Sequence, residues 1–223
     1  MTHDSELVPA RRAPALSYFF PAHNEAANIE ALVAEALAEL PRLAETFEII
    51  AVNDGSKDET GALADKLAAA HPGVVRAVHH AVNQGYGAAL RSGFGASRYP
   101  LVCFTDGDRQ FKVADLGRLL ARMEQPTRRQ GDVEPDVVVG YRIKRADPVI
   151  RLLYARTYRA CLRLFFGLRT TDVDCAAKLF KRAALDGINL ESGGAFLSAE
   201  LLIKIEASGS RIVEGASRRA PRA

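Results

Sequence analysis

Four times in the first half of the chain, an apolar run of strand length breaks into a short polar cluster. Ala15–Phe20 is closed by Pro21 and leads into His23-Asn24-Glu25, and Phe47–Val52 leads into Asn53-Asp54-Gly55-Ser56. Val74–Val78 precedes Asn83-Gln84-Gly85-Tyr86-Gly87, and Leu101–Thr105 drives into Asp106-Gly107-Asp108. The segments between are helical in pattern. Ile29, Leu32, Val33, Ala36, Leu37 and Leu40 recur with a period of about 3.6 residues. Ser56 is placed to cap a helix starting near Asp58, and the glycine loop opens a helix over Ala88–Ser97. A fifth strand is expected over Asp136–Val139. Alternation of this kind predicts an α/β fold, a mostly parallel sheet with helices on both faces. In such sheets ligands bind beyond the carboxyl ends of the strands, which is where all four polar clusters fall. The expectation is a nucleotide-type crevice.

Within the fourth cluster, Asp106 and Asp108 lie on one face if the backbone stays extended. Two carboxylates ending a buried strand make a hard-oxygen site for Mg²⁺ or Mn²⁺, whose shell water and substrate phosphate complete. The same residues also suit an ordinary Asp-Gly turn.

With 223 residues and 48% hydrophobic composition, the chain can bury one sizeable core. The expected division is a flexible arm over 1–14, one domain over 15–215 and a basic tail over 216–223. A net charge of +3 is too mild to argue for a nucleic-acid partner, although arginines gather between Arg142 and Arg169. Three cysteines without CxxC spacing fit a reduced compartment and read as small buried apolar residues. No uncharged run reaches the ~18 residues a bilayer crossing needs, and Met1–Arg12 has no apolar core behind its charges. A cytoplasmic location is expected. Gln125–Glu134, rich in Arg, Gln, Gly and Pro, reads as an exposed loop.

The ordered motifs Pro21-Ala22-His23-Asn24-Glu25, Val52-Asn53-Asp54-Gly55-Ser56, Asn83-Gln84-Gly85-Tyr86-Gly87 and Thr105-Asp106-Gly107-Asp108-Arg109-Gln110-Phe111 resemble the family 2 glycosyltransferases. So does Asp172-Val173-Asp174-Cys175-Ala176-Ala177-Lys178-Leu179-Phe180, which looks like the acidic acceptor-side motif of the dolichol-phosphate mannose synthase and polyprenyl-phosphate glycosyltransferase branch. The resemblance implies a GT-A fold that binds a nucleoside diphosphate sugar and a divalent metal. It places Pro21, Ala22, Asn24, Glu25 and Asp54 along the base and ribose, Gly85 against the nucleotide, and Asp106 and Asp108 on metal and diphosphate. One run departs from the family's usual Asp-Ala-Asp-Gly-Gln: this chain has Gly107, and Arg109 where a glycine is expected. Arg109 either helps neutralise the diphosphate or obstructs the loop if a positive φ is required there.

Sugar transfer requires stabilisation of the departing diphosphate's charge, the work of a metal supported by arginines. A hydroxyl acceptor also needs a base, whereas a lipid phosphate is already ionised and needs cations instead. Asp108 and Asp172 are the catalytic candidates, with Asp174 a second candidate base; the alternative for either of the latter two is a capping residue. Arg142, Arg145 and Lys178 are candidates for an acceptor phosphate, or else solvated surface charges. Over Pro148–Leu168 a helix would align Arg156, Arg159 and Arg163 on one stripe, with Tyr154, Tyr158, Cys161, Leu162 and Phe165 around the remainder. That suits the interface of an anionic membrane, or a core helix with a charged outer stripe. The expected activity is inverting, metal-dependent transfer of a hexose from a UDP- or GDP-sugar to a polyprenyl phosphate, at the inner membrane face. The alternatives are a saccharide hydroxyl acceptor or a nucleotide-holding domain without turnover. No G-x-G-x-x-G follows the first strand, which disfavours a dinucleotide oxidoreductase.

Overall fold

Successive side chains of the first strand go to opposite sides of one sheet, and both sides are buried. In β1 (Ala13–Ala22), Leu16, Tyr18 and Phe20 join one core and Phe19 joins another. β2 (Ala44–Asp54) does the same, with Ile49 and Ala51 on one side and Ile50 and Val52 on the other. Apolar residues on both faces are what a central parallel strand demands. The computed structural model describes residues 11–126, 133–142, 149–168, 170, 172–194 and 196–217.

After β2 come β3 (Val75–His80), β4 (Leu101–Phe104), β5 (Val137–Arg142), β6 (Lys178–Lys181) and β7 (Ile212–Ser217). They form one sheet in the order β3-β2-β1-β4-β6-β5-β7. All neighbouring pairs are parallel except those of β6, which runs antiparallel to both β4 and β5. Helices α1 (Ala26–Leu43), α2 (Thr60–Ala70) and α4 (Leu116–Met123) cover one face through Ile29, Ala64 and Leu119. Helices α3 (Tyr86–Ala96), α5 (Val149–Phe166) and α6 (Leu197–Ala207) cover the other through Leu90, Leu162 and Leu201.

The mostly parallel sheet with helices on both faces is as expected, but several boundaries differ. β1 starts at Ala13 and β7 ends at Ser217, each two residues beyond the expected domain limits. Pro21 does not close β1 but continues it, opposite Val52. Proline is tolerated there because pairing with β4 stops at Phe19, leaving one side of the strand without a ladder. Ser56 does not cap α2, since its hydroxyl accepts the Asn24 N–H at 3.0 Å. Asp58, one residue before the N-cap position, accepts from the Thr60 N–H at 3.0 Å. β6 and β7 carry no clear strand signal in the sequence, being short or interrupted by charge and glycine (Lys178, Lys181, Glu214, Gly215). Of the expected Gln125–Glu134 loop, residues 127–132 lie outside the described residues.

Two buried carboxylates hold the frame. Toward the amino ends of the strands, Glu48 is 2% exposed. It accepts from Ser17 Oγ at 2.7 Å, the Arg98 N–H at 2.8 Å, and Arg76 Nε and Nη2 at 3.1 and 2.8 Å. This ties β1, β2, β3 and the turn before β4 together. In α6, Glu200 is 6% exposed and accepts the N–H groups of Glu191 and Ser192, both at 2.8 Å, with Lys204 Nζ 2.7 Å away. The loop so held reaches α3, where Gly193 O accepts the Gly87 N–H and Ser192 O accepts Arg91 Nη1. Burial would raise the Glu200 carboxyl, but Lys204 and the two N–H donors more than offset this and hold it at about 2.

Removing the Glu48 carboxylate leaves Arg76, the Ser17 hydroxyl and the Arg98 N–H without their acceptor. Glu48→Ala is expected to cost about 2–3 kcal/mol, discounted because Arg76 is part-exposed, or roughly 4–10 °C in melting temperature. Thermal unfolding measures this, and a loss below about 1 kcal/mol would contradict it. For Glu200 the folded carboxyl sits below its ordinary 4.5, so its stabilisation is complete above that pH and is lost as pH falls toward 2. Melting curves from pH 5 to 2 should therefore fall more gently for Glu200→Gln than for the wild type.

Candidate active site

The carboxyl end of β1 passes directly into the start of α1. Asn24 takes a left-handed conformation, φ 56°, which asparagine tolerates better than most residues. Its Oδ1 accepts the Lys57 N–H at 2.9 Å and its own N–H reaches Ser56, so the loops after β1 and β2 are laced together. Glu25 continues the lacing, its N–H donating to Thr60 Oγ1 at 2.8 Å. Its Oε2 accepts from Asn28 Nδ2 at 2.6 Å.

At the end of β2, Asp54 is buried and fully engaged. Oδ1 accepts the Gln84 N–H at 2.9 Å and His80 Nδ1 at 2.7 Å, while Oδ2 accepts the Gly85 N–H at 2.9 Å. A carboxylate can only accept, so Nδ1 of His80 carries a proton, and its Nε2 lies within hydrogen-bond distance of Ser92 Oγ at 2.8 Å. Gly55 makes the approach possible. Its φ is 61°, and a Cβ there would collide with the backbone of Val82 and Asn83.

The glycine loop starts α3, and its Tyr86 hydroxyl donates to Asp106 Oδ1 at 3.0 Å. Burial, with Asp106 beside it, pushes the Tyr86 phenol well up, so it stays a donor. Asp108 Oδ1 accepts the Gln110 N–H at 3.1 Å across Arg109, whose φ is 58°. The positive φ expected of a glycine at this position is thus present with arginine in place. Gly107 is a close approach, since a Cβ would stand 2.7 Å from Pro21 O. An alanine there would require the Pro21 carbonyl or the turn itself to shift.

These pieces enclose one cleft of about 400 Å³. Pro21, Ala22, Glu25, Asp54, Gly85, Asp106 and Asp108 all border it. Asn24 does not, because its side chain is spent on Lys57. Asp54 borders the cleft with its oxygens committed to the glycine loop and His80, so its role is to shape the wall. Among the described residues no cluster of three or more His, Cys, Asp or Glu side chains is placed to hold a metal. The donor set of Asp106 and Asp108 still fits a hard cation that takes the rest of its shell from water and phosphate oxygens, as Mg²⁺ does.

On the acceptor side the expectations separate. Lys178 is 0% exposed, its ammonium donating to Cys175 O and lying 5.4 Å from the centre of the Phe104 ring. Burial pulls its pKa down, against the charges of Cys175, Asp106, Asp174 and Asp172. It is neither a surface charge nor open to a lipid phosphate, and it braces β6 beneath the aspartates. Asp172 is buried, and its carbonyl accepts the Cys175 N–H at 3.1 Å, whereas Asp174 is exposed. Arg142 contributes backbone to β5, and its side chain and all of Arg145 lie outside the described residues. On α5, Leu162 and Tyr158 pack into the core while Phe165 faces solvent with Arg163, so the expected apolar face is split. The side chains of Tyr154, Arg156 and Arg159 lie outside the described set. Tyr86, His80 and Glu200 are site-supporting residues that motif reading did not assign. For Tyr86 the only signal was its place directly after the glycine of a helix-opening loop.

The fold and the cleft agree with what the chain is similar to. AglD, a glycosyltransferase of Haloferax volcanii, is 30% identical over 92% of this chain and 34% of its own length. Polyprenol monophosphomannose synthase of Mycolicibacterium smegmatis is 30% identical over 87% of this chain and 73% of its own. Dolichyl-phosphate beta-glucosyltransferase ALG5C of Trichomonas vaginalis is 31% identical over 75% of this chain and 52% of its own. The chain thus spans about a third of the first relative and half of the third. Among solved structures, glucosyl-3-phosphoglycerate synthase of Mycobacterium tuberculosis with Mn²⁺ and UDP superposes with a TM-score of 0.70 at 21% identity. That match covers 94% of this chain and 72% of that one. The mannosyltransferase PcManGT of Pyrobaculum calidifontis with GDP-Man and Mn²⁺ gives 0.65 at 20% identity, over 98% and 60%. At these identities the likeness carries the fold, which is the expected GT-A architecture. The model described as glycosyl transferase family 2 matches residues 17–188, well over half of the chain, and the protein belongs to that family.

Proposed function

We propose that the protein transfers a hexose from a UDP- or GDP-sugar to a polyprenyl phosphate, with inversion at the anomeric carbon. The observation that carries this reading is the convergence of the β1 end, the Asp54-held glycine loop and the Asp106/Asp108 pair on one cleft. The names of the relatives agree, two of the three being polyprenol- or dolichyl-phosphate transferases. In this reading Pro21, Ala22 and Glu25 receive the base and ribose, and Gly85 lies against the nucleotide. Asp106 and Asp108 hold Mg²⁺ or Mn²⁺, which when bound supplies positive charge to the departing diphosphate. Tyr86 keeps Asp106 in place. The acceptor oxygen forms its bond to the anomeric carbon as the bond to the donor phosphate breaks. An acceptor phosphate is already ionised, so little is asked of a base. The burial of Asp172 near β6 supports a second reading, a hydroxyl acceptor with Asp172 taking its proton.

Membrane approach falls to α5. Leu164, Phe165 and Phe166 are 79%, 73% and 50% exposed beside the exposed Arg163. The sequence from Pro148 to Thr171 holds five arginines and no carboxylate. No described helix is long and apolar enough to cross a bilayer, so contact here is interfacial.

Two measurements test these readings. Purified protein is incubated with radiolabelled UDP- and GDP-sugars, Mg²⁺ or Mn²⁺, and a short polyprenyl phosphate, and label entering the organic phase is counted. Transfer is expected from one donor class, reduced at least ~100-fold in Asp108→Asn. It should fall by less than ~10-fold in Asp172→Asn; a larger loss there favours the hydroxyl acceptor. Absence of transfer from every donor overturns the assignment. Separately, sedimentation with vesicles containing anionic lipid should retain the wild type. Replacing Leu164, Phe165 and Phe166 together by serine should weaken binding at least ~10-fold.

A further inference from the structure

Arg109 combines two features that a folded chain normally avoids. Among the described residues, only Asn24 and Arg109 are non-glycine residues with a left-handed backbone. Asn24 offsets this with a bond from its own side chain to the next loop. Arg109 has no such bond; the turn around it is set by Asp108 and Gln110 on either side. Its Nε is also sealed from solvent with no hydrogen-bond partner. Arg211 Nε is likewise sealed, but it stands 3.5 Å from Asp136 Oδ2. Arg76, by contrast, embraces Glu48 with two nitrogens. Among the described residues Arg109 makes no ion pair, although the carboxylates of Asp106 and Asp108 belong to the same turn.

A sealed, unpaired N–H on a charged group is rare in folded proteins, and backbone strain persists where function requires it. Glycine at this position would remove both penalties at once. What rewards an arginine is a partner that arrives with the ligands. The planar guanidinium matches phosphoryl oxygens with two parallel hydrogen bonds, and it neutralises charge beside a carboxylate pair that cannot do so.

We infer that Arg109 is an anion-receiving residue that engages a phosphate group brought to the Asp106/Asp108 turn by a substrate. The inference rests on the proposed transferase reading. The phosphate can come from the nucleoside diphosphate of the donor or from the acceptor, and the chemistry of recognition is the same.

The test compares wild type with Arg109→Gly and Arg109→Asn, both at ease with a positive φ, and with Arg109→Lys, which keeps charge without the fork. Melting temperature is measured on the free proteins. Calorimetric titrations then use UDP or GDP with Mn²⁺ in one arm and a short polyprenyl phosphate alone in the other. The Gly and Asn variants should melt at or above the wild type, yet bind one probe at least ~10-fold more weakly, with Lys between. Weakening in the nucleotide arm assigns Arg109 to the donor, and weakening in the lipid arm assigns it to the acceptor. Glycine and asparagine variants that melt several degrees lower make Arg109 a structural residue and overturn the inference. Unchanged binding in both arms, with a wild type that binds, overturns it and leaves the transferase reading standing. A wild type that binds neither probe overturns both.

Discussion

The buried carboxylate of Asp54 is the contact on which the rim of the sheet depends. It sits where β2 ends, and its two oxygens gather the backbone of Gln84 and Gly85 and the ring of His80. That clasp fixes where the glycine loop turns into α3, and hence where Tyr86 stands. Tyr86 in turn bonds to Asp106 from across the cleft. A chain of short polar contacts therefore runs from the second strand through the glycine loop to the carboxylate pair. Each link is partly buried, so each is worth more than the same bond in open water.

The two ends of the sheet are treated differently. At the amino ends, Glu48 is closed on every side by Ser17, Arg76 and the Arg98 backbone, an arrangement that holds strands together and leaves nothing for a ligand. At the carboxyl ends, Asp106 and Asp108 border open space. Arg109 forms no pair with either, and Lys178 is turned to a carbonyl and an aromatic ring.

Much of this was legible in the residues. β1 and β2 announced themselves by unbroken apolar runs, because a strand covered on both faces has no polar side to show. Gly55 and Asp54 were readable as a turn, and the ordered motifs carried the family. The places where reading failed share a cause. Pro21 looked like a terminator because proline removes a donor, but whether that donor was needed depends on where β4 stops pairing. Ser56 had the composition of a cap, yet Asn24 from another loop claimed its hydroxyl. Lys178 looked like a ligand-binding cation because lysine is normally exposed, and β6 was too short to signal that it would be enclosed.

The sequence by itself determined the alternation of strands and helices, the rim on which the polar clusters meet, and the spacing of the two aspartates. These follow from local periodicity and from the handedness of strand–helix–strand connections, which act over short stretches of chain. Only the tertiary structure decided that Asp54 serves the loop, that Tyr86 reaches Asp106, that Lys178 is sealed beneath it and that Arg109 stands strained and unpaired. Those outcomes are set by which distant groups compete for the same hydrogen bonds once water is excluded, and such competition leaves no trace in the spacing of residues along a chain.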